Sequence, residues 1–103
     1  MIHDLTSGTV AATGSTAADA AAVEAKFVTA TAADATKGVI LSSTFGKNSQ
    51  VIIKNTVAAV LKVYPQTTAG TINGSTGAYS QVASKSALFI NVGADTWHAI
   101  QLD

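Results

Sequence analysis

The sequence predicts an all-β fold: a small jelly-roll-like sandwich or barrel of about six to eight short antiparallel strands, with an N-terminal arm and room for one short helix. Three observations predict it. From residue 27 onward the apolar residues recur with a period of two. The alternating runs are short, about four to eight residues each. Clusters of Gly, Ser, Thr and Asn, and the single proline Pro65, separate them. A chain of 103 residues without long crossover helices leaves no room for a TIM barrel or a Rossmann fold.

Residues 1–14 read as the arm. Their alternation is weak and their side chains small, with one short strand near residues 9–12. This arm is the segment best placed to reach a neighbouring subunit. Residues 15–103 form a single β domain. Its first stretch, STAADAAAVEAKF (15–27), is rich in alanine, the best helix former. Thr16 is placed to cap a helix, and Asp19 three residues later has capping-box spacing. Val23 and Phe27, four apart, would share a helical face. A helix of about ten residues is marginal alone. The reading is therefore a short helix or irregular turn ahead of a strand at 26–30. The competing reading is a strand beginning near residue 22, with Val23 and Ala25 on one side.

Residues 27–31 (FVTAT) alternate as a strand, and residues 37–42 (KGVILS) form the next, weakened at its start by Gly38. Gly46, Lys47 and Asn48 are turn residues. In 50–56 (QVIIKNT), Val51 and Ile53 face one way and Ile52 and Lys54 the other. In 59–64 (AVLKVY), Leu61 and Val63 oppose Lys62 and Tyr64. Pro65 ends that strand because it has no N–H to give to a ladder. Ile72 precedes Asn73-Gly74, the strongest short-range turn signal in the chain. Residues 79–83 form a short strand with Tyr79 and Gln81 on one face. Residues 87–92 (ALFINV) form the strongest strand, with Leu88, Ile90 and Val92 expected inward and Phe89 outward. Residues 93–95 turn, and 96–102 (TWHAIQL) close the fold. Strands apolar on both faces suggest that one face packs the core and the other packs a partner.

Composition narrows the function. Apolar residues make up 48% of the chain and charged residues 12%, with no net charge. All six cations are lysines, spaced singly at Lys26, Lys37, Lys47, Lys54, Lys62 and Lys85. No basic stripe forms, so no nucleic-acid partner is expected. Without arginine the best bidentate ligand for phosphate or carboxylate is missing. Without cysteine there is neither a disulfide nor a thiolate metal site. No apolar run reaches the roughly 18 residues of a membrane span, and no membrane partner is expected. The start, MIHDLTSG, lacks the basic-then-apolar order of a signal peptide. Asn73-Gly74-Ser75 matches a glycosylation acceptor and reads as a turn. A domain of this size has a small margin of stability, and association is an obvious extra source of burial.

No chemistry-bearing constellation appears. His3 and His98 have no neighbour at metal-ligand spacing. The acids Asp4, Asp19, Glu24, Asp34, Asp95 and Asp103 are scattered, and a glycosidase pair would have to be assembled by folding. No serine lies in G-x-S-x-G, and the glycines of 70–77 lack the phosphate-loop pattern. The protein is therefore expected not to be an enzyme and to need no cofactor. Tyr64, Tyr79, Phe89 and Trp97 gather in the C-terminal half. Tyr64, Tyr79, Trp97 and His98 are the candidate interface residues, since such aromatics suit an interface hot spot. A sugar-stacking platform and plain core are the competing readings.

The order of motifs carries one further expectation. VIL (39–41), VIIKN (51–55), LKVYP (61–65), TING (71–74), a Ser- and Ala-containing strand (79–83) and ALFINVGADTWHAI (87–100) follow one another. In this order the stretch 27–101 resembles small all-β structural proteins of tailed bacteriophages, of the capsid decoration (cement) type. The resemblance implies Pro65 as a strand end, Asn73 and Gly74 as a turn, and Trp97 as a packed aromatic near the last strand. It implies a homotrimer on the outer surface of the virion, clamping the major capsid protein, and no catalytic residue. The alternative is a non-enzymatic glycan-binding or host-recognition module on a phage head or tail fibre.

Overall fold

The computed structural model describes residues 7–102. Their strands are β1 (Ser7–Ala11), β2 (Ala21–Val23), β3 (Phe27–Thr31), β4 (Gly38–Leu41), β5 (Gln50–Asn55), β6 (Leu61–Tyr64), β7 (Thr71–Ile72), β8 (Tyr79–Gln81), β9 (Ser86–Gly93) and β10 (Thr96–Gln101). They form a six-stranded sheet, β1-β3-β5-β9-β10-β7, and a four-stranded sheet, β2-β4-β6-β8. From β1 to β6 the chain changes sheet at every strand. Each coil therefore lays its two strands beside those of the coil before. β1, β3 and β5 are parallel, as are β2, β4 and β6. The result is solenoid-like, with roughly 20–25 residues per coil. The C-terminal part closes it with antiparallel pairs, β9 on β5, β10 on β9 and β8 on β6, and β7 runs parallel to β10.

The all-β, two-sheet character agrees with the sequence reading, but an antiparallel jelly-roll does not. Alternation of period two states which face of a strand is buried; it carries no information on strand direction. Here the connections cross to the other sheet instead of turning back beside their own strand, which makes neighbours parallel. The short helix is one 3-10 turn at Ala17–Asp19, followed directly by β2. Asp19 Oδ1 accepts from Thr16 N at 2.9 Å, Thr16 Oγ1 at 2.8 Å and Ser15 N at 3.1 Å, which fixes the turn. Val23 is fully buried beside Leu41 of β4. Burial of that side chain in an extended strand overrides the helix propensity of the alanines. In the segment read as an arm, β1 lies along β3 and Ala12 is buried. His3 and Asp4, with the rest of 1–6, and Asp103 lie outside the described residues.

The core fills the space between the sheets. The six-stranded sheet supplies Val28, Ala30, Val51, Ile53, Ala87, Phe89 and Trp97, and the four-stranded sheet Val23, Val39, Leu41, Leu61 and Val63. β9 faces the opposite way from the expectation. Ala87, Phe89 and Asn91 are buried, while Leu88 and Ile90 are half-covered and Val92 is exposed. Alternation cannot decide here, because both faces of ALFINV are apolar. The ladder decides: Phe89 lies beside Val51 and Ala87 beside Ile53, both fully buried. Phe89 also meets Tyr79 edge-to-face with ring centres 5.6 Å apart.

Buried amides of Asn55, Gln81 and Asn91, and the half-buried amide of Gln66, tie the loops to this core. Asn91 Nδ2 donates to Phe45 O at 3.2 Å, and its Oδ1 accepts from Gly93 N at 2.9 Å. Gln66 Nε2 donates to Ser42 O and Phe45 O, both at 2.6 Å. Gln81 Nε2 donates to Ile53 O at 2.7 Å and Lys85 O at 2.9 Å. Asn55 Nδ2 donates to Ala59 O at 2.7 Å. Each satisfies carbonyls that would otherwise be stranded away from water.

Two exposed turns make the fold sensitive to acid. Asp34 Oδ1 accepts from Thr36 Oγ1 at 2.7 Å, Lys37 N at 2.9 Å and Thr36 N at 3.0 Å. The Thr36 hydroxyl foremost, then the two amides, lower its carboxyl to about 2. The Thr16 amide and hydroxyl likewise lower Asp19. Both groups bind protons more weakly folded than unfolded. Their contribution is therefore complete above the usual carboxylate value of about 4 and is lost as pH falls below it, for Asp34 as pH passes through about 2. The thermal midpoint is expected to drop across that interval, and Asp34→Asn should make the drop shallower in melts recorded by circular dichroism.

Candidate interaction surface

The outward face of the six-stranded sheet carries a continuous apolar row. Residues paired across neighbouring strands share a face. Phe27 pairs with Ile52, Ile52 with Leu88, and Leu88 with Ile100, so one row crosses β3, β5, β9 and β10. At the spacing of strands in a sheet it is about 14 Å long. Phe27 is 36% exposed and Ile100 51%. On one side runs the polar row Thr29, Lys54 and Ser86. On the other, Ile90 lies between Gln50 and His98. Leu102 and Val92, also exposed, extend the apolar area. Scattered surface apolar residues are ordinary; an ordered row across four strands with polar borders has the anatomy of a contact surface.

Tyr64, Tyr79, Trp97 and His98 are not brought together. Trp97 is fully buried, with its ring 6.5 Å from that of Phe45 in a T-shaped arrangement. Tyr79 is half-buried against Phe89. Tyr64 lies on the outward face of the four-stranded sheet beside Ile40, and its hydroxyl donates to Ser15 O at 3.1 Å. His98 is exposed on the outward face of the six-stranded sheet. It is the one of the four that borders the apolar row. Pro65 is buried immediately past β6. Asn73 and Gly74 have φ of 53° and 83°, and Ile72 and Ser75 exchange backbone hydrogen bonds at 3.0 and 3.2 Å around them. This is the geometry of a two-residue turn in which both central residues are left-handed. Asn73 also grips β10: its Oδ1 accepts from Ala99 N at 2.9 Å and its Nδ2 donates to Ala99 O at 3.2 Å.

Phe27, Ile52, Leu88, Ile90 and Ile100 were not among the candidate residues. Their signal was present in the two-faced apolar pattern of β5 and β9, but orienting β9 requires the register with β5. The most densely bonded carboxylate was also missed as a structural centre. Asp95 Oδ1 accepts from Gln66 N and Trp97 Nε1, both at 2.8 Å. Its Oδ2 accepts from Thr67 N at 2.7 Å and Thr67 Oγ1 at 2.9 Å. With these donors it pins the loop after Pro65 to the β9–β10 hairpin. Among the described residues no three His, Asp or Glu side chains cluster in a way that would hold a metal ion. Comparisons with protein-family models, with curated proteins and with solved structures found no match to this chain.

Proposed function

We propose that this chain is a structural virion protein, a capsid decoration (cement) protein that binds the outer surface of an icosahedral phage head and stabilises its capsomer contacts. Its partner is then the major capsid protein. The observation that carries this reading is the apolar row Phe27–Ile52–Leu88–Ile100 on an open sheet face. A row held by the backbone ladders of four strands is preorganised, so docking it orders little side chain or loop. One such contact is small. Copies repeated over a symmetric shell gain from effective concentration what each lacks alone. The weak charge of the surface supports dense decoration, because neighbouring copies repel little. The motif order over residues 27–101 supports the phage assignment. The dispersal of Tyr64, Tyr79 and Trp97 favours this reading over a glycan-stacking platform, which needs aromatic faces in one groove.

The test mixes purified protein with undecorated capsids and measures saturation and the temperature of shell disruption. Saturable binding and a raised disruption temperature are expected. Ile100→Asp changes a half-exposed side chain and should leave the fold intact while weakening binding about tenfold or more. Absence of binding, or binding indifferent to Ile100→Asp, would remove the proposal.

A further inference from the structure

The chain has four asparagines, Asn48, Asn55, Asn73 and Asn91, and the fold treats one of them differently. An asparagine side chain is open to attack by the peptide nitrogen that follows it, provided that nitrogen is unhindered and free of a hydrogen bond. Three of the four do not meet this condition. Ser49 N donates to Gly46 O at 3.1 Å and Thr56 N to Ala30 O at 3.2 Å. Asn55 and Asn91 are also buried, with their amides committed to backbone groups. Asn73 is followed by Gly74, which has no side chain to obstruct the approach, and both residues are exposed. Among the described residues Gly74 N donates to no group. The Asn73 amide, however, is held on β10: Oδ1 accepts from Ala99 N at 2.9 Å and Nδ2 donates to Ala99 O at 3.2 Å. Its backbone is held as well, by Asn73 N donating to Trp97 O at 2.9 Å.

We propose that Asn73 is a spontaneous modification site, a deamidation centre that its clamp on β10 keeps closed in the folded protein. The amide must leave Ala99 before Gly74 N can reach its carbon. Gly74 N then loses its proton and bonds to Asn73 Cγ. The Cγ–Nδ2 bond breaks, Nδ2 leaves as ammonia, and a succinimide ring closes. Water opens that ring at either carbonyl, giving aspartate or isoaspartate. One water is consumed and one ammonia released, and no other reactant is needed. The product no longer fits the clamp. A carboxylate has no N–H for Ala99 O and sets a negative oxygen against it. Isoaspartate also lengthens the main chain of a turn whose two central residues have φ of 53° and 83°. Either product loosens β7, which is two residues long, forms the edge of its sheet and carries the buried Ile72. The change runs one way, so it records the accumulated time the turn has spent open. The inference does not rest on the capsid reading.

The intact protein is incubated at mildly alkaline pH, with and without denaturing urea, and its digests are mapped by mass spectrometry with isoaspartate separated from aspartate. In the native protein Asn73 is expected to convert ahead of Asn48, Asn55 and Asn91. Its conversion should be slower than in the unfolded chain by about tenfold or more, because two side-chain hydrogen bonds must break first. Asn73→Asp reproduces one product and should lower the thermal midpoint. Asn73→Gly removes the site and the clamp together but keeps a pair that accepts two left-handed residues. It should lower the midpoint less than Asn73→Asp, since nothing then repels Ala99 O. A native rate equal to that of the unfolded chain, another asparagine converting first in the native protein, or an Asn73→Asp variant as stable as the native protein would overturn the proposal.

Discussion

Trp97→Ala is expected to destabilise the protein by about 3–5 kcal/mol, the range for truncating a fully buried aromatic. Stabilities of domains this size are about 5–15 kcal/mol, so the variant should populate unfolded chain and aggregate at ordinary temperatures. Two losses combine. The ring leaves a void beside Phe45, whose backbone carbonyl is itself held by Gln66 and Asn91. The indole N–H also disappears from Asp95. Trp97→Phe separates these terms, since it keeps most of the volume and removes only the donor; it should cost markedly less. Urea unfolding followed by far-ultraviolet circular dichroism measures both variants. A Trp97→Ala protein as stable as the native one would refute the packing described for the β9–β10 hairpin.

Asp95→Asn should cost about 2–3 kcal/mol although it changes a single atom type. Four donors converge on the two carboxylate oxygens, and hydrogen bonds to a charged acceptor are individually strong. An amide turns one acceptor into a donor and sets it against N–H groups already aimed at that position. Asp95→Ala should cost more, because it removes both oxygens and places alanine at φ 54°, where Asp and Asn are better tolerated. Gly70 belongs to the same arrangement: a Cβ on this buried residue would run into the Asp95 carboxylate. Since Trp97 is the sole tryptophan, its fluorescence reports directly on this corner during urea unfolding of the Asp95 variants. The losses from Asp95→Asn and Trp97→Phe should fall short of additive in the double variant, because both remove the same hydrogen bond.

The strands themselves were legible, and for local reasons. In β5 and β6 the spacing alone set Val51 with Ile53 and Leu61 with Val63 on one face each, and the structure buries those faces. Asn73-Gly74 announced its turn because few other pairs accept two left-handed residues in succession. Ala94-Asp95, within the turn read at 93–95, makes a second left-handed pair at φ 50° and 54°, and Asp95 is held there by the hydrogen bonds it accepts from Gln66 N and Thr67 N. Parallel stacking was illegible because it depends on where each connection lands, and the spacing between the aligned residues Ser7, Phe27 and Ile52 is irregular, 20 residues and then 25. The outward apolar row was hidden for a related reason. A strand that is apolar on both faces leaves its orientation to its neighbours, so the candidate surface became visible only with the sheet assembled. Trp97 was drawn toward the interface list by residue type, which does not distinguish a core aromatic from an exposed one.

The insertion of β9 beside β5 has a consequence for synthesis. β5 leaves the ribosome well before β9, with β6, β7 and β8 made in between. Any coil that folds in that interval would leave the β5 edge without its β9 neighbour and the core positions under Phe89 uncovered. The nascent chain is therefore most exposed to proteolysis and to pairing with other nascent chains while β6 to β8 are being added. That edge is covered only once the β9–β10 hairpin pairs with β5. Slowing translation across residues 55–85 should lower soluble yield without altering the finished protein.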